Sequence, residues 1–491
     1  VVLTLRTLPL DDWVDPADAF VALFGDASPA GAADAVWLDS GPDAVDGRSI
    51  IGTGRRTITA SAAHGTVEID GVVHAGDAID ALRGELAAVV AADGGGAADG
   101  GGAADGGQAA DTPGGEQGEQ AATPFGWAGW LGYESGARRL GAPHTSGDGA
   151  DSALVLLDRV VVFDHARRRV HIAAAPGADP DWPEAARAAL AGCKGAAQAY
   201  REAHPVAPAE VRWRHDDDDY LRLIGECLDA IRAGDAYQLC LTNLATGRTA
   251  ADPLAVHLRL RASSPAHHAG FLRIAGEALV SSSPEQFLQV TSDGRVRTKP
   301  IKGTRPRGAT VAADLALRAQ LEASEKEQAE NVMIVDLMRN DLARVCELGS
   351  VEVRHLLAVE SYAQVHQLVS TVEGRLADGS GAIDAVAACF PAGSMTGAPK
   401  LSAMGILSRL EQGPRGVYAG CFGILGADGS ADLAMVIRSL RFRAGAVQVG
   451  AGGGITALSI PVEELEEVRV KAAALLRAAG LTARVDGSAP A

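Results

Sequence analysis

AGFLRIAGEALVSSSPEQFLQVTSDGRVRT, residues 269–298, decides the fold class. Four short runs in it, 269–274, 278–281, 287–290 and 296–298, read as strands, separated by Ala-Gly, Ser-Pro and Asp-Gly punctuation. Their hairpin-like spacing, with helices on either side, predicts an α+β fold rather than a doubly wound parallel sheet. Toward the carboxyl terminus, apolar periodicity predicts helices over 311–342, broken near Ser324, and over 383–389, 400–409 and 462–479. Strands are expected at 416–425, 433–442 and 446–450. Toward the amino terminus a strand is expected at 237–242, after a helix at 220–233. The acidic run HDDDDY (215–220) precedes that helix and suits the positive end of its dipole. Consecutive helical side chains point apart, which argues against a metal site there.

Farther out, residues 204–213 form a Pro- and Ala-rich seam, preceded by an Ala-rich helix at 181–203 and strands at 154–158, 160–163 and 170–174. Residues 91–124 carry an Ala/Gly/Asp near-repeat without one aromatic or large aliphatic side chain, which cannot offset the entropy of ordering and is expected to be a flexible surface loop. Before it lie strands at 35–38, 57–59 and 65–69 and a helix at 77–90. This divides the chain into an amino-terminal region over 1–204, a catalytic region over 214–480 and a tail over 481–491.

The 491 residues carry 44 Lys and Arg against 62 Asp and Glu, a net charge of -18 that argues against a polyanionic nucleic-acid partner and leaves small or anionic ligands open at a local site. No apolar run approaches the ~20 residues of a membrane helix. Six cysteines occur singly, without C-x-x-C or zinc spacing, and the start, VVLTLRTLPLDDWVDP, lacks a basic leader with an apolar stretch. The expected location is the cytoplasm, with reduced structural thiols.

Four constellations can carry chemistry, the first made of two acidic pairs. Glu464, Glu467 and Lys471 share one helix face, and Glu327 and Glu330 have the same three-residue offset. Two such pairs from different helices can hold one Mg²⁺, but each pair alone is also what a solvated helix face looks like, and spacing leaves both open. GAGGGIT (450–456) follows a strand and reads as a turn whose bare amides can cradle a carboxylate; it lacks dinucleotide-binding spacing. GSMTGAPK (393–400) fails as a phosphate loop because Ala398 and Pro399 separate Gly397 from Lys400. Lys302 in PIKGTRPR (300–307) stands at a strand-loop junction, either solvated or, in an apolar cleft or beside a cation, a nucleophile of lowered pKa. Glu285 in SSSPE (281–285) is a turn residue, either exposed or, if desolvated, a general acid.

Taken in order, SSSPEQF, PIKGTRPRG, EKEQAENVMIVDLMRNDLARV, VHQLVST, FPAGSMTGAPK, RGVYAGCFGIL, MVIRSL, VGAGGGIT and EELEEVRVK resemble the chorismate-utilising family, which includes anthranilate, aminodeoxychorismate, isochorismate and salicylate synthases. The resemblance spans roughly 217–477, and WLDSG (37–41) and GWLGYESGARR (129–139) resemble the family's amino-terminal portion more weakly. It implies the family's fold of two opposed sheets flanked by helices.

Within the family, Lys302 replaces the alanine of anthranilate synthases, and Gln238 stands where water-using members have a lysine base. Both imply amination of chorismate at C4, giving 4-amino-4-deoxychorismate for p-aminobenzoate and folate or for a p-aminobenzoate-derived metabolite. The resemblance further implies Mg²⁺ on Glu330 and Glu467, supported by Glu327 and Glu464. Arg438, Tyr418 and the backbone of Gly452, Gly453 and Gly454 would hold a carboxylate, Lys302 would attack C2, and Glu285 would protonate the departing hydroxyl. His366, Thr396 and Lys471 match further active-site positions, and Ser40 of WLDSG a tryptophan-pocket wall. AGCFG (419–423) mimics a glutaminase elbow, but no histidine follows His366 to complete a triad. Ammonia is therefore expected from a separate glutamine amidotransferase subunit. The competing readings are the anthranilate branch of the family and a chorismate-binding regulatory protein without catalysis.

Overall fold

The computed structural model describes residues 6–10, 12–25, 33–94, 123–147, 149–362 and 365–484. Most of the Ala/Gly/Asp insert, from 95 to 122, and the tail beyond 484 lie outside the described residues, as do residues 1–5. Among the described residues no helix is long and apolar enough to cross a membrane, and all six cysteines are buried and unpaired.

Two large sheets dominate. The thirteen-stranded sheet runs, neighbour by neighbour, Arg6–Leu10, Arg169–Ala174, Arg159–Asp164, Arg48–Thr53, Ala35–Asp39, His268–Ile274, Glu277–Ser283, Ser439–Arg443, Ala446–Ile455, Gln238–Arg248, Ala209–Trp213 and Leu481–Ala483, with Gly397–Ala398 also on Gln238–Arg248. The twelve-stranded sheet runs Ile301–Pro306, Val365–Arg375, Arg295–Thr298, Gln286–Val290, Ala431–Met435, Cys421–Gly426, Gly126–Leu131, Ser152–Leu157, Thr57–Ser61, Thr66–Ile69 and Val72–Ala75, with Glu352–Ser361 also on Val365–Arg375. Strands before the 204–213 seam and strands from the seam onward thus form two contiguous blocks in each sheet, joined where Ala35–Asp39 pairs with His268–Ile274 and Gly126–Leu131 with Cys421–Gly426.

Period-two alternation divides the apolar side chains between two faces. Val36, Ile50, Val160 and Val162 point into a core shared by the two sheets, where they meet Trp130, Val155 and Phe422. Their neighbours Trp37, Ile51, Val161 and Phe163 point outward, under helices carrying Phe20, Leu223, Leu254 and Leu475. The second sheet buries its outer face, including Trp127, Leu154 and Phe287, under Ile79, Ile334, Met338 and Val386. Because both faces of each sheet are covered, strands such as Arg159–Asp164 read as unbroken apolar runs.

Several element boundaries differ from the sequence expectation. The helix expected over 181–203 is two, Trp182–Leu190 and Ala196–Ala203, because Gly192 and Gly195 between them adopt φ of +86° and +87°. Of the strand expected at 416–425 only Cys421–Gly426 forms, and the seam itself contributes the strand Ala209–Trp213. The fold also continues past 480, since Leu481–Ala483 pairs in parallel with Ala209–Val211.

The strand expected over 433–442 breaks into Ala431–Met435 and Ser439–Arg443, which lie in different sheets. Arg438 between them has φ +51°, a left-handed turn that redirects the chain. Ser283–Pro284–Glu285 makes a matching passage between the same two sheets, from Glu277–Ser283 to Gln286–Val290. The two passages are stitched together by Met435 N donating to Glu285 O at 3.0 Å and Ser282 N to Arg438 O at 3.0 Å. Glu285 and Arg438 are thereby fixed side by side where the sheets part.

A buried ion pair ties helix Lys400–Glu411 to strand Gln238–Arg248. Arg415 donates to Glu411 through Nε at 2.8 Å and Nη2 at 2.7 Å, and to the carbonyls of Met395 at 2.6 Å and Cys240 at 2.9 Å. Glu411 also accepts from Thr242 N and Oγ1, both at 2.9 Å. Glu411→Ala leaves the Arg415 charge buried and unpaired, a change that typically costs about 3–5 kcal/mol. Chemical unfolding of the variant is expected to show a loss of that size, and a loss below 1 kcal/mol would contradict this role.

Candidate active site

The site is assembled from strands of both sheets and two helices. Gln238 opens strand Gln238–Arg248, Lys302 lies on strand Ile301–Pro306, Glu327 and Glu330 lie on helix Glu325–Ala343, and Glu464, Glu467 and Lys471 lie on helix Pro461–Ala478. Ser324 separates the first of these helices from Val311–Glu322, where the sequence placed the break.

The stretch 450–455 is strand, not a turn: Ala446–Ile455 pairs continuously with Gln238–Arg248, Gly452 opposite Thr242 and Gly454 opposite Cys240. Only every second amide of that stretch faces Gln238–Arg248, and pairing with Ser439–Arg443 ends at Val449, so the other amides lie on an open edge; the glycines also serve by having no side chain. A Cβ at Gly450 would stand 2.1 Å from Tyr418 Cγ, one at Gly453 would stand 3.2 Å from Glu464 Oε2, and one at Gly454 would stand 2.5 Å from Gln238 Nε2 and 3.4 Å from Glu330 Oε2. The bare strand is a floor on which Tyr418, Glu464, Gln238 and Glu330 rest.

Lys302 Nζ lies 4.0 Å from Glu330 Oε2, with only 14 % of its side chain exposed. Burial disfavours its charge, but Glu330, the Cys240 thiol, Glu285 and Glu467 together outweigh burial, and its pKa is raised. The lowered pKa expected of a nucleophile in an apolar cleft is therefore not found, because the cleft is lined with carboxylates.

Glu285 is 7 % exposed, and burial raises its pKa against the opposing pull of Lys302, Ser394 and Lys471. It has the character of a proton donor rather than of a solvated turn residue. Burial also raises Glu330, opposed by Lys302 and Lys326 and reinforced by Glu464 and Glu467. Glu467 is half-exposed; partial burial raises its pKa, but Lys471, at 2.6 Å, outweighs that with help from Lys326 and Lys302, and the net direction is down.

Arg438 is largely desolvated, which lowers its pKa. Its guanidinium has no hydrogen bond or ion pair among the described residues, so it is a cation ready for an anionic ligand. Gln238 is fully buried, and neither atom of its amide has a partner. An orphaned buried amide aimed beside Gly454 and Glu330 marks a position for a polar ligand. Lys471 Nζ donates to Gly452 O at 2.8 Å, which pins the helix bearing Glu464 and Glu467 to the glycine floor.

The carboxylates offer oxygen ligands to a cation. All their donors are hard oxygens, and Glu327 Oε2 is buried without a partner while Oε1 accepts from Arg305 at 3.0 Å. Glu330 feels both Glu464 and Glu467 as like charges. Chemically the set fits a divalent cation. Among the described residues, however, no three such groups are gathered as a metal cluster, and Lys326 stands among them, 2.6 Å from Glu464 Oε1 and 4.0 Å from Glu330 Oε1.

Three further expected residues, His366, Thr396 and Ser40, have hydrogen-bond partners of their own. His366 bonds Ser361 Oγ through Nδ1 at 2.8 Å and Asp314 Oδ1 through Nε2 at 3.0 Å, and Asp314 is itself held by Arg307. Thr396 is fully buried, its hydroxyl turned to the carbonyls of Ala392 and Gly393 and its own carbonyl to Cys240 N. Ser40, expected in a tryptophan-pocket wall, donates its hydroxyl to Arg48 O at 2.9 Å.

The sequence reading missed Cys240, Ser394, Lys326 and the buried Glu134. Cys240 was legible, since a strand residue two beyond Gln238 shares its face, and so was Lys326, four before Glu330 on a helix. Glu134, pushed up to about 8 by burial, accepts from the amides of Arg415 and Gly416 and shapes the turn before Tyr418; no local pattern announces it.

The chain is similar to known proteins in sequence and in fold. The family described as chorismate binding enzyme matches residues 99–477. An aminodeoxychorismate synthase of Streptomyces griseus is 48% identical over 363 residues, 72% of this chain and 50% of that protein. Anthranilate synthase component 1 of Thermus thermophilus is 42% identical over 327 residues, 65% of this chain and 69% of that one. The crystal structure of anthranilate synthase component I from Streptococcus pneumoniae TIGR4 superposes with a TM-score of 0.67 at 28% identity, covering 87% of this chain and 92% of that one. The chain spans about half the length of the Streptomyces aminodeoxychorismate synthase.

Proposed function

This chain belongs to the family of chorismate-binding enzymes, and from that premise we propose that it aminates chorismate at C4, forming 4-amino-4-deoxychorismate. The observation that carries this reading is Lys302, a buried amine held 4.0 Å from Glu330 and within the field of Glu285. A lysine there is a nucleophile once it loses the proton that the surrounding carboxylates hold on it, and it stands in the field of a raised-pKa acid.

In this reading Arg438 grips one substrate carboxylate beside Tyr418. Lys302, after giving up its ammonium proton to solvent, attacks C2; the two ring double bonds shift toward C4, and the C4 hydroxyl leaves as water with the proton of Glu285. Ammonia, placed by the Gln238 amide, attacks C4, the double bonds shift back, and the bond from C2 to Lys302 breaks. The Glu285 carboxylate takes the surplus proton from the incoming nitrogen, which restores the acid. Glu330 and Glu467, supported by Glu327 and Glu464, would hold a Mg²⁺ whose charge would fix the ring carboxylate and ease the shift of electrons across the ring.

The nitrogen source is a separate glutamine amidotransferase subunit. Support comes from Cys421 of the elbow-like AGCFG: it is 1 % exposed at the start of a strand, and burial pushes its thiol up, away from the thiolate a glutaminase needs. The purified chain is expected to consume chorismate with ammonium salt at alkaline pH, where free ammonia is abundant, and to be inert with glutamine. Glutamine-dependent turnover by the pure chain would overturn the separate-subunit reading, and no turnover with either nitrogen source would overturn the amination.

A further inference from the structure

We propose that Lys326 is a tethered counter-cation of the carboxylate cluster, one that neutralises the site while no divalent ion is bound and competes with that ion for it. The proposal rests on reading Glu330, Glu464 and Glu467 as the metal-binding carboxylates, and it concerns what sets their affinity.

Lys326 stands in the first turn of helix Glu325–Ala343 and reaches across to helix Pro461–Ala478. Its Nζ is 2.6 Å from Glu464 Oε1 and 4.0 Å from Glu330 Oε1, while the two carboxylate side chains are only 2 % and 10 % exposed. Two buried anions on different helices thus share one ammonium. The other lysines of the site are engaged differently: Lys302 faces the second oxygen of Glu330, and Lys471 is bound to Glu467 and Gly452 O.

Leaving such carboxylates without positive charge is strongly unfavourable. A divalent ion placed among them would meet the ammonium as a like charge, so one must yield. Lys326 is able to yield, since its side chain is 32 % exposed and its flexible stem can carry the ammonium out to water. The lysine thereby keeps the apo site folded and lowers its affinity for the ion. A lysine that merely ties the two helices together would have the opposite signature, because removing it would loosen the site and weaken ion binding.

The test is a titration of the full chain with Mn²⁺, free ion being counted by electron paramagnetic resonance, on wild type, Lys326→Gln, Lys326→Arg and Glu467→Gln. With solvent screening allowed for, Lys326→Gln is expected to bind Mn²⁺ about three- to tenfold more tightly. Lys326→Arg, which keeps the charge, is expected to stay close to wild type. In thermal unfolding, Lys326→Gln is expected to melt lower than wild type without metal and to gain more from saturating Mn²⁺. Lost binding in Glu467→Gln identifies the carboxylate site. If that variant loses binding while Lys326→Gln binds no more tightly than wild type, the role of Lys326 is overturned and the metal site stands. If Glu467→Gln binds as wild type does, or if neither wild type nor Lys326→Gln binds the ion, the metal reading and this proposal fail together, while the C4 amination is judged separately by its product.

Discussion

Lys302→Ala is expected to reduce C4 amination by roughly 10³-fold or more and to acquire slow amination at C2. In the proposed mechanism C2 is occupied by the lysine during the step in which ammonia enters, so only C4 is open to it. Without it, Arg438, Glu285 and the carboxylates remain, and ammonia can add to C2 directly with loss of the same hydroxyl. The product of the variant is then 2-amino-2-deoxyisochorismate or anthranilate, separable by chromatography from the wild-type product. Lys302 is 14 % exposed and bonded through charge alone, so its truncation leaves the strand ladder of Ile301–Pro306 intact. A variant that keeps wild-type C4 amination would make Lys302 a bystander.

Glu330→Ala is the second change with a large expected effect. Glu330 faces Lys302 and Lys326 at once, each at 4.0 Å, and its charge is felt by both. On the proposed reading its removal would take away a cation ligand and the anchor of the nucleophile, so turnover is expected to fall by more than the roughly 10–100-fold seen for outer-shell partners of metal sites. The neighbouring Asn331 keeps its place, with Oδ1 accepting from Ser370 and Nδ2 donating to Pro300 O and Leu368 O. The fold is therefore expected to survive, with a thermal midpoint near that of wild type. Wild-type turnover by this variant, or by wild type in excess EDTA, would contradict the assignment of the carboxylates.

What could be seen in the sequence was what local spacing controls. The strand succession in 269–298, the helix break at Ser324 and the shared face of Glu464, Glu467 and Lys471 all follow from periods of two or 3.6, and Lys471 does meet Glu467 at 2.6 Å. What could not be seen depends on partners distant in the chain. The glycines of 450–454 read as a turn because their real reason, the side chains of Tyr418, Gln238, Glu464 and Glu330 lying against them, comes from four other segments. Likewise the charge state of Lys302 is set by Glu330, Cys240, Glu285 and Glu467, no two of which share a strand or helix, so spacing around PIKGT held no sign of it. Arg438 was placed inside a strand because its neighbours are apolar and alternating; only the need to pass between sheets gives it φ +51°.

The central claim is that nitrogen enters at C4 and nowhere else. Incubating the wild-type chain with chorismate, Mg²⁺ and ¹⁵N-labelled ammonium, and locating the label in the product by its carbon and proton couplings, tests it most directly. The mechanism through Lys302 predicts ¹⁵N bonded to C4, in 4-amino-4-deoxychorismate. Label bonded to C2, in 2-amino-2-deoxyisochorismate or anthranilate, would contradict it and place the chain in the anthranilate branch.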